Sequence, residues 1–147
     1  MLKKTVTYED YNGVTQTEDF YFNLTKVECM ELEFGFGNGE TLSGSIQTLV
    51  NAGDMATVIS TIKKIVLMAY GIKSPDGKRF IKNDTIRTEF EETPAFEQIY
   101  WELVTDSEKA AEFISGIVPS VLRDGLGDNP KQELLTRMRA LEESNKQ

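Results

Sequence analysis

The chain has 147 residues, 39% of them hydrophobic and 10% aromatic, with a net charge of −8 and no histidine. That length suits one domain burying roughly two-thirds of its unfolded surface, and the apolar content excludes wholesale disorder. The acidic balance argues against nucleic-acid binding, which takes clustered Lys and Arg; the local run Lys73, Lys78, Arg79 and Lys82 is too small to reverse it. The single cysteine, Cys29, has no partner for an internal disulfide. The longest apolar run, Ile65 to Tyr70, falls far short of the ~20 residues of a membrane helix. Met1-Leu2-Lys3-Lys4 leads into alternating Thr and Val rather than an apolar leader, so a soluble intracellular protein with no membrane partner is expected.

Lys3 to Tyr8 and Val14 to Phe22 read as two strands, rich in Thr, Val and aromatic residues. Asn12-Gly13 between them suits a positive-φ turn, which makes the pair a hairpin. Phe20 and Phe22 share one face and Tyr21 takes the other. A lone hairpin is marginal in water, so this one must pack on helices or on another copy. Thr25 with Glu28 forms a capping-box pattern opening a helix to about Phe34, with Val27, Met30 and Phe34 along one face. Gly35-Phe36-Gly37-Asn38-Gly39 breaks it, and Leu42 to Ala52 reads as a weaker helix carrying Gly44.

The strongest helical pattern is Met55 to Tyr70, capped by Asp54. Met55, Val58, Ile59, Ile62, Ile65, Val66 and Ala69 repeat at helical period, and Gly71 fits the position just past the end. A Ser74-Pro75-Asp76-Gly77 turn and a short basic-aromatic extended run follow. Asn83 caps a short helix to about Glu91, and Thr93-Pro94 starts another, whose buried face is Phe96, Ile99, Tyr100 and Leu103. Thr105 with Glu108 suggests a second capping box for a helix running toward Gly116, stopped by Pro119. The expected fold is α+β and mostly α-helical: an N-terminal antiparallel hairpin, then a bundle of about five helices, in one globular domain spanning 1–123. Residues 124–147 read as a linker and a C-terminal amphipathic helix opened by Pro130, with a narrow stripe of Leu134, Leu135, Met138 and Leu141.

No catalytic constellation can be assembled. Without histidine the commonest general base and metal ligand is missing, and Cys29 reads as a buried, inert thiol. Gly35, Gly37 and Gly39 lack the Gly-Lys-Ser/Thr ending of a phosphate loop, since Glu40 would repel phosphate. Glu89, Glu91 and Glu92, or Glu31 with Glu33, read as solvated helix faces and lack calcium-loop spacing. No cofactor, metal or catalytic residue is expected. The candidate partner-binding residues are Trp101, one position off its helix's apolar stripe, and Leu134, Leu135, Met138 and Leu141 of the tail.

Three stretches resemble the tail assembly chaperones of long-tailed, siphovirus-type bacteriophages of Gram-positive hosts. The first is Lys3-Lys4-Thr5-Val6-Thr7-Tyr8, Asp10-Tyr11-Asn12-Gly13 and Thr17 to Lys26; the second is Tyr70-Gly71 with Lys73 to Lys82. The third is Ala110-Ala111-Glu112-Phe113 with Gly116-Ile117 and Pro119. The resemblance implies a non-enzymatic protein of the host cytoplasm that binds the tape-measure protein, recruits the major tail protein around it, and is absent from the mature virion. It also implies that a longer frameshifted form is common among relatives. The alternative is a permanent virion part, a head–tail connector or tail-tube subunit. Self-association is expected as well, through the open edge of the hairpin Lys3–Phe22 and through the tail helix.

Overall fold

The computed structural model describes residues 1–37 and 41–119. Its N-terminal hairpin joins β1 (Leu2–Glu9) to β2 (Thr15–Phe22) in antiparallel register, with Leu2 opposite Phe22 and Glu9 opposite Thr15. The turn closes as the sequence requires. Asp10 Oδ1 accepts from the backbone N–H groups of Asn12 and Val14, and Gly13 takes φ 77°. Alternation then sorts the faces. Val6, Phe20 and Phe22 point inward and are buried, while Thr5 and Thr7 point outward and bond Asp19 and Thr17 at 2.6 and 3.0 Å.

Six helices follow among the described residues: α1 (Lys26–Phe36), α2 (Leu42–Asn51), α3 (Met55–Ala69), α4 (Asp84–Glu91), α5 (Pro94–Thr105) and α6 (Ser107–Ile117). The expected starts hold at Thr25, whose capping box with Glu28 is complete, and at Asp54, Asn83 and Thr93. The start of α6 differs. Asp106 is the cap, accepting from the N–H groups of Glu108 and Lys109, while the Thr105 hydroxyl turns back to the carbonyl of Trp101 at 2.7 Å. A carboxylate at the first free N–H groups of a helix outcompetes a hydroxyl that already has a carbonyl one turn back.

The end of α1 is also displaced: the helix continues through Gly35 to Phe36, and Gly37 supplies the left-handed cap at φ 70°. Its buried face is Cys29 and Leu32 instead of Val27, which is 63% exposed. Glu33 is no solvated bystander, since its Oε1 accepts from the Leu42 N–H at 3.0 Å and so ties α1 to the start of α2.

Two short strands complete a four-stranded sheet of order β1-β2-β3-β4: β3 (Tyr70–Lys73) and β4 (Phe80–Ile81). Tyr70 thus leaves the helix that its apolar pattern suggested and pairs opposite Phe22. Gly71 is not a left-handed cap. It sits in β3 because a Cβ there would lie 2.7 Å from the Phe80 ring and 3.0 Å from the Ile81 carbonyl oxygen. The β3–β4 turn is closed by Ser74, whose hydroxyl donates to Asp76 at 2.6 Å and accepts from the Arg79 N–H.

The sheet's inner face meets the helices in a cluster of rings. Phe22, fully buried, lies within 6 Å of Tyr70, Phe90 and Phe113, and Tyr70 stacks on Phe90 with centroids 3.9 Å apart. Ion pairs on two partly buried carboxylates, Glu28 and Glu102, lock the periphery. Lys82 Nζ donates to Glu28 Oε1 at 2.8 Å and to the Asn23 carbonyl at 2.6 Å, joining the segment after β4 to the start of α1. Burial pushes the Glu28 carboxyl up, but the Lys82 and Thr25 hydrogen bonds more than offset it and hold it below its ordinary value. Lys4 and Lys109 both reach Glu102, at 3.5 and 3.1 Å, bridging β1, α5 and α6.

Cys29 is 1% exposed, and burial with the charges of Glu33 and Glu28 pushes its thiol up to about 12 from 9.0. The unfolded thiol ionises first, so this contribution to stability is complete below about pH 9 and is lost as pH rises toward 12. Denaturant titrations should show the native chain losing stability relative to Cys29→Ala across that window; a constant difference would refute the burial assigned to the thiol. Gly71→Ala should cost roughly 1–3 kcal/mol, because the added methyl meets a backbone carbonyl as well as a ring. An unchanged denaturation midpoint for that variant would show that β3 and β4 are not held this close.

Candidate partner-binding groove

The apolar pattern of α3 is wider than one core can cover. Its C-terminal two turns, Ile62 to Ala69, are sealed, but Met55 and Ile59 near its start are 46% and 42% exposed. Beside Met55, Val50 at the end of α2 is 40% exposed. These two residues form one rim of a groove of about 470 Å³ that opens between α2 and α3 on one side and α5 and α6 on the other. Its floor is the buried quartet Val58, Ile62, Leu103 and Ile114. The opposite wall is α6, which lines the groove through Ser107, Ala110, Ala111 and Ile114; its two alanines leave room for another backbone to approach.

The chemistry of the groove is simple. Gln47, Thr105 and Ser107 are its polar lining residues, and among the described residues that line it none is charged. A small-molecule site of this size ordinarily adds several convergent polar or charged groups that fix orientation. A smooth apolar trough between helices is instead the shape that takes the apolar face of an amphipathic helix. Val50, Met55, Ala110 and Ala111 were not among the partner-binding residues expected from the sequence; the surplus width of the apolar stripe that begins at Met55 was the available signal.

Trp101 stands elsewhere. It is 68% exposed on α5, over a shallow depression shared with Tyr8, Glu9, Pro94, Glu97 and Gln98. That depression lies where α5 crosses β1, so a large aromatic surface is offered beside the edge strand of the sheet. Leu134, Leu135, Met138 and Leu141, with the linker and tail helix expected over 124–147, lie outside the described residues. Of the five expected partner-binding residues, Trp101 alone lies among the described residues, and it does not line the groove.

The charged groups singled out in the sequence are largely engaged in structure. Lys82 is held by Glu28, Lys73 lies 4.0 Å over the Tyr21 ring, and Glu91 pairs with Lys63 at 2.9 Å, leaving Lys78 and Arg79 exposed on the turn. The basic run is thus not a continuous patch. Among the described residues no group of three or more His, Cys, Asp or Glu is placed to hold a metal ion. Among the same residues no helix is long and apolar enough to cross a membrane.

Comparison with known proteins gives one result. No match appears among curated proteins or among solved structures. Over residues 1–147, however, the chain matches the family described as Phage tail assembly chaperone, a non-catalytic kind of protein. With the match spanning the whole length, the chain belongs to the phage tail assembly chaperone family.

Proposed function

We propose that this chaperone holds amphipathic helical segments of the tape-measure protein in the groove between α2–α3 and α5–α6, and promotes assembly of the tail tube around it. The observation that carries the reading is the uncharged apolar trough with its exposed Val50 and Met55 rim. An apolar trough gains affinity from buried area without demanding a particular sequence, which suits a client presenting many similar helices. The working site is the host cytoplasm, and the protein leaves before the virion matures, as incoming major tail protein replaces it. Trp101, next to the sheet edge, is a second contact surface for a tail component.

Several copies cover one client in this reading. β1 is the outer strand of the sheet, and its free edge runs for eight residues, Leu2–Glu9. Such an edge accepts a strand from another copy, and a head-to-tail contact repeats along a filament or closes into a ring.

Co-expression with the tape-measure protein should raise the soluble fraction of that protein. Val50→Asp and Ala111→Glu, which put charge into the trough at positions that are not part of the core, should remove most of that gain while leaving the chaperone's own denaturation midpoint nearly unchanged. An undiminished gain would exclude the groove, and no gain even with the native chain would exclude the client. Light scattering across a wide concentration range should show reversible growth in mass; a monomer at every concentration would refute the multi-copy arrangement. Mass spectrometry of purified particles should find the protein absent or at trace level, whereas stoichiometric amounts would make it a permanent virion part.

A further inference from the structure

We infer that the outer edge of β1 and the Trp101 side of α5 form one docking site for an extended, basic segment of another protein. The segment adds a strand to the sheet and lays a Lys or Arg side chain across Trp101. This deepens the reading of Trp101 as a contact surface and rests on that reading only for the partner being a tail component; it needs nothing from the apolar groove.

The backbone of β1 sets the docking register. The Asp10 N–H donates to the Val14 carbonyl at 2.8 Å, which makes this a hydrogen-bonded pair. Hydrogen-bonded and non-hydrogen-bonded pairs alternate along an antiparallel ladder. Tyr8, Val6, Lys4 and Leu2 therefore direct their backbone groups to β2, while Glu9, Thr7, Thr5 and Lys3 turn theirs outward. β1 is the outermost strand, and among the described residues no other element bonds these outward groups. Such an edge takes an extended peptide through main-chain hydrogen bonds, and alternate side chains supply the specificity.

One end of the edge is walled by α5. The helix runs beside β1 in the opposite direction: Pro94 and Glu97 share a depression with Tyr8 and Glu9, and farther along Glu102 receives Lys4. Trp101, 68% exposed, lines the same depression, whose volume is about 480 Å³. Directly opposed residues of neighbouring strands share a face of the sheet. The side chain opposite Tyr8 on an added strand therefore lies on the helix-covered face and enters the depression beside Trp101.

Charge selects that side chain. Tyr8, Pro94 and Trp101 offer apolar ring surface, and the charged lining residues are Glu9 and Glu97. The field extends farther, since burial first, and then the nearby Glu18 and Asp10, push the Tyr8 phenol above its ordinary value. An Arg or Lys stem covers the rings while its cationic end meets carboxylates, and a cation over an indole face gains more. A second copy is the poorer occupant. Its β1 presents one base on that face, Lys4, already held by Glu102 at 3.5 Å, and two bodies of net charge −8 repel each other. A basic segment therefore displaces a second copy from the edge.

Trp101 is the one tryptophan of the chain, so its emission reports on the site directly. The probe is an acetylated, amidated Thr-Val-Thr-Arg-Thr-Val-Thr peptide titrated into the full chain. A saturable change in emission is expected, and the same peptide with Glu in place of Arg should bind about tenfold more weakly or worse. N-methylation of the threonines flanking the Arg removes the bonds to Thr7 and Glu9 and should abolish the change. Glu97→Lys, at an exposed helix position, should reverse the preference between the Arg and Glu peptides while the denaturation midpoint stays nearly unchanged. No saturable change with the Arg peptide, equal binding of the Arg and Glu peptides, full binding after N-methylation, or an unaltered preference in Glu97→Lys would each overturn the proposal. Emission that follows the protein's own concentration and ignores peptide would give the edge to a second copy and overturn it as well. No tape-measure protein takes part, so loss of this site leaves the groove's proposed function standing, and a failure to solubilise that protein leaves this site standing.

Discussion

The packing of Phe22 against the stacked rings of Tyr70 and Phe90 is the contact on which the other elements depend. Phe22 comes from the hairpin, Tyr70 from the strand after α3, and Phe90 from α4, and Phe113 of α6 closes edge-on against Phe22. An isolated hairpin of eight-residue strands has too little to bury on its own. Here it gains a hydrophobic partner on its inner face and a third strand along β2. Tyr70 reaches its place because the chain passes from helix to strand without a loop, which brings Gly71 hard against Phe80 and Ile81. A side chain at that position would force apart the two strands that fix the Tyr70 ring.

The groove follows from the same geometry. α3 runs from Met55 to Ala69, a length of roughly 22 Å at helical rise. Its C-terminal half is consumed by the core, with Ile65, Val66 and Ala69 at or below 1% exposure. Near its start α2 covers it only in part, leaving Met55 and Val50 at the surface. The trough is therefore apolar surface that the cluster leaves over. Its walls are steadied by Glu102, which receives Lys4 and Lys109; burial raises that carboxyl, and the two lysines more than offset the effect.

Local rules were readable wherever a residue's job is set by its immediate neighbours. Thr25, Asp54, Asn83 and Thr93 cap helices because each places an oxygen over free N–H groups two or three residues on, a geometry carried within four residues of sequence. Phe20 and Phe22 against Tyr21 followed from strand alternation alone. What failed to show was set by distant partners. Gly71 looks like a helix cap until Phe80 and Ile81 are placed beside it. Val27 looks buried until α1 is rotated so that Cys29 and Leu32 face inward. Competition within reach was equally hidden, since Thr105 and Asp106 both suit a cap and only the backbone decides between them. The groove was least legible, because an exposed and a buried apolar residue are the same letter in one stripe.

An uncharged trough on a strongly acidic protein divides two tasks between two parts of the surface. Burial in an apolar trough is short-ranged and indifferent to sequence, which under the proposed function would suit any helix of the right width. The net charge of −8 acts farther out, over about a Debye length, where it repels acidic surfaces and attracts basic ones. A lining rich in salt bridges would have bound one sequence tightly and released it slowly, since separating a desolvated charge pair costs several kcal/mol. Under the proposed function, an apolar lining of this kind would hold each segment weakly, and firmness would come from the number of copies engaged. The proposed function calls for that balance: repeated weak contacts would keep a long client extended, and each could be lost singly as the permanent subunit arrives.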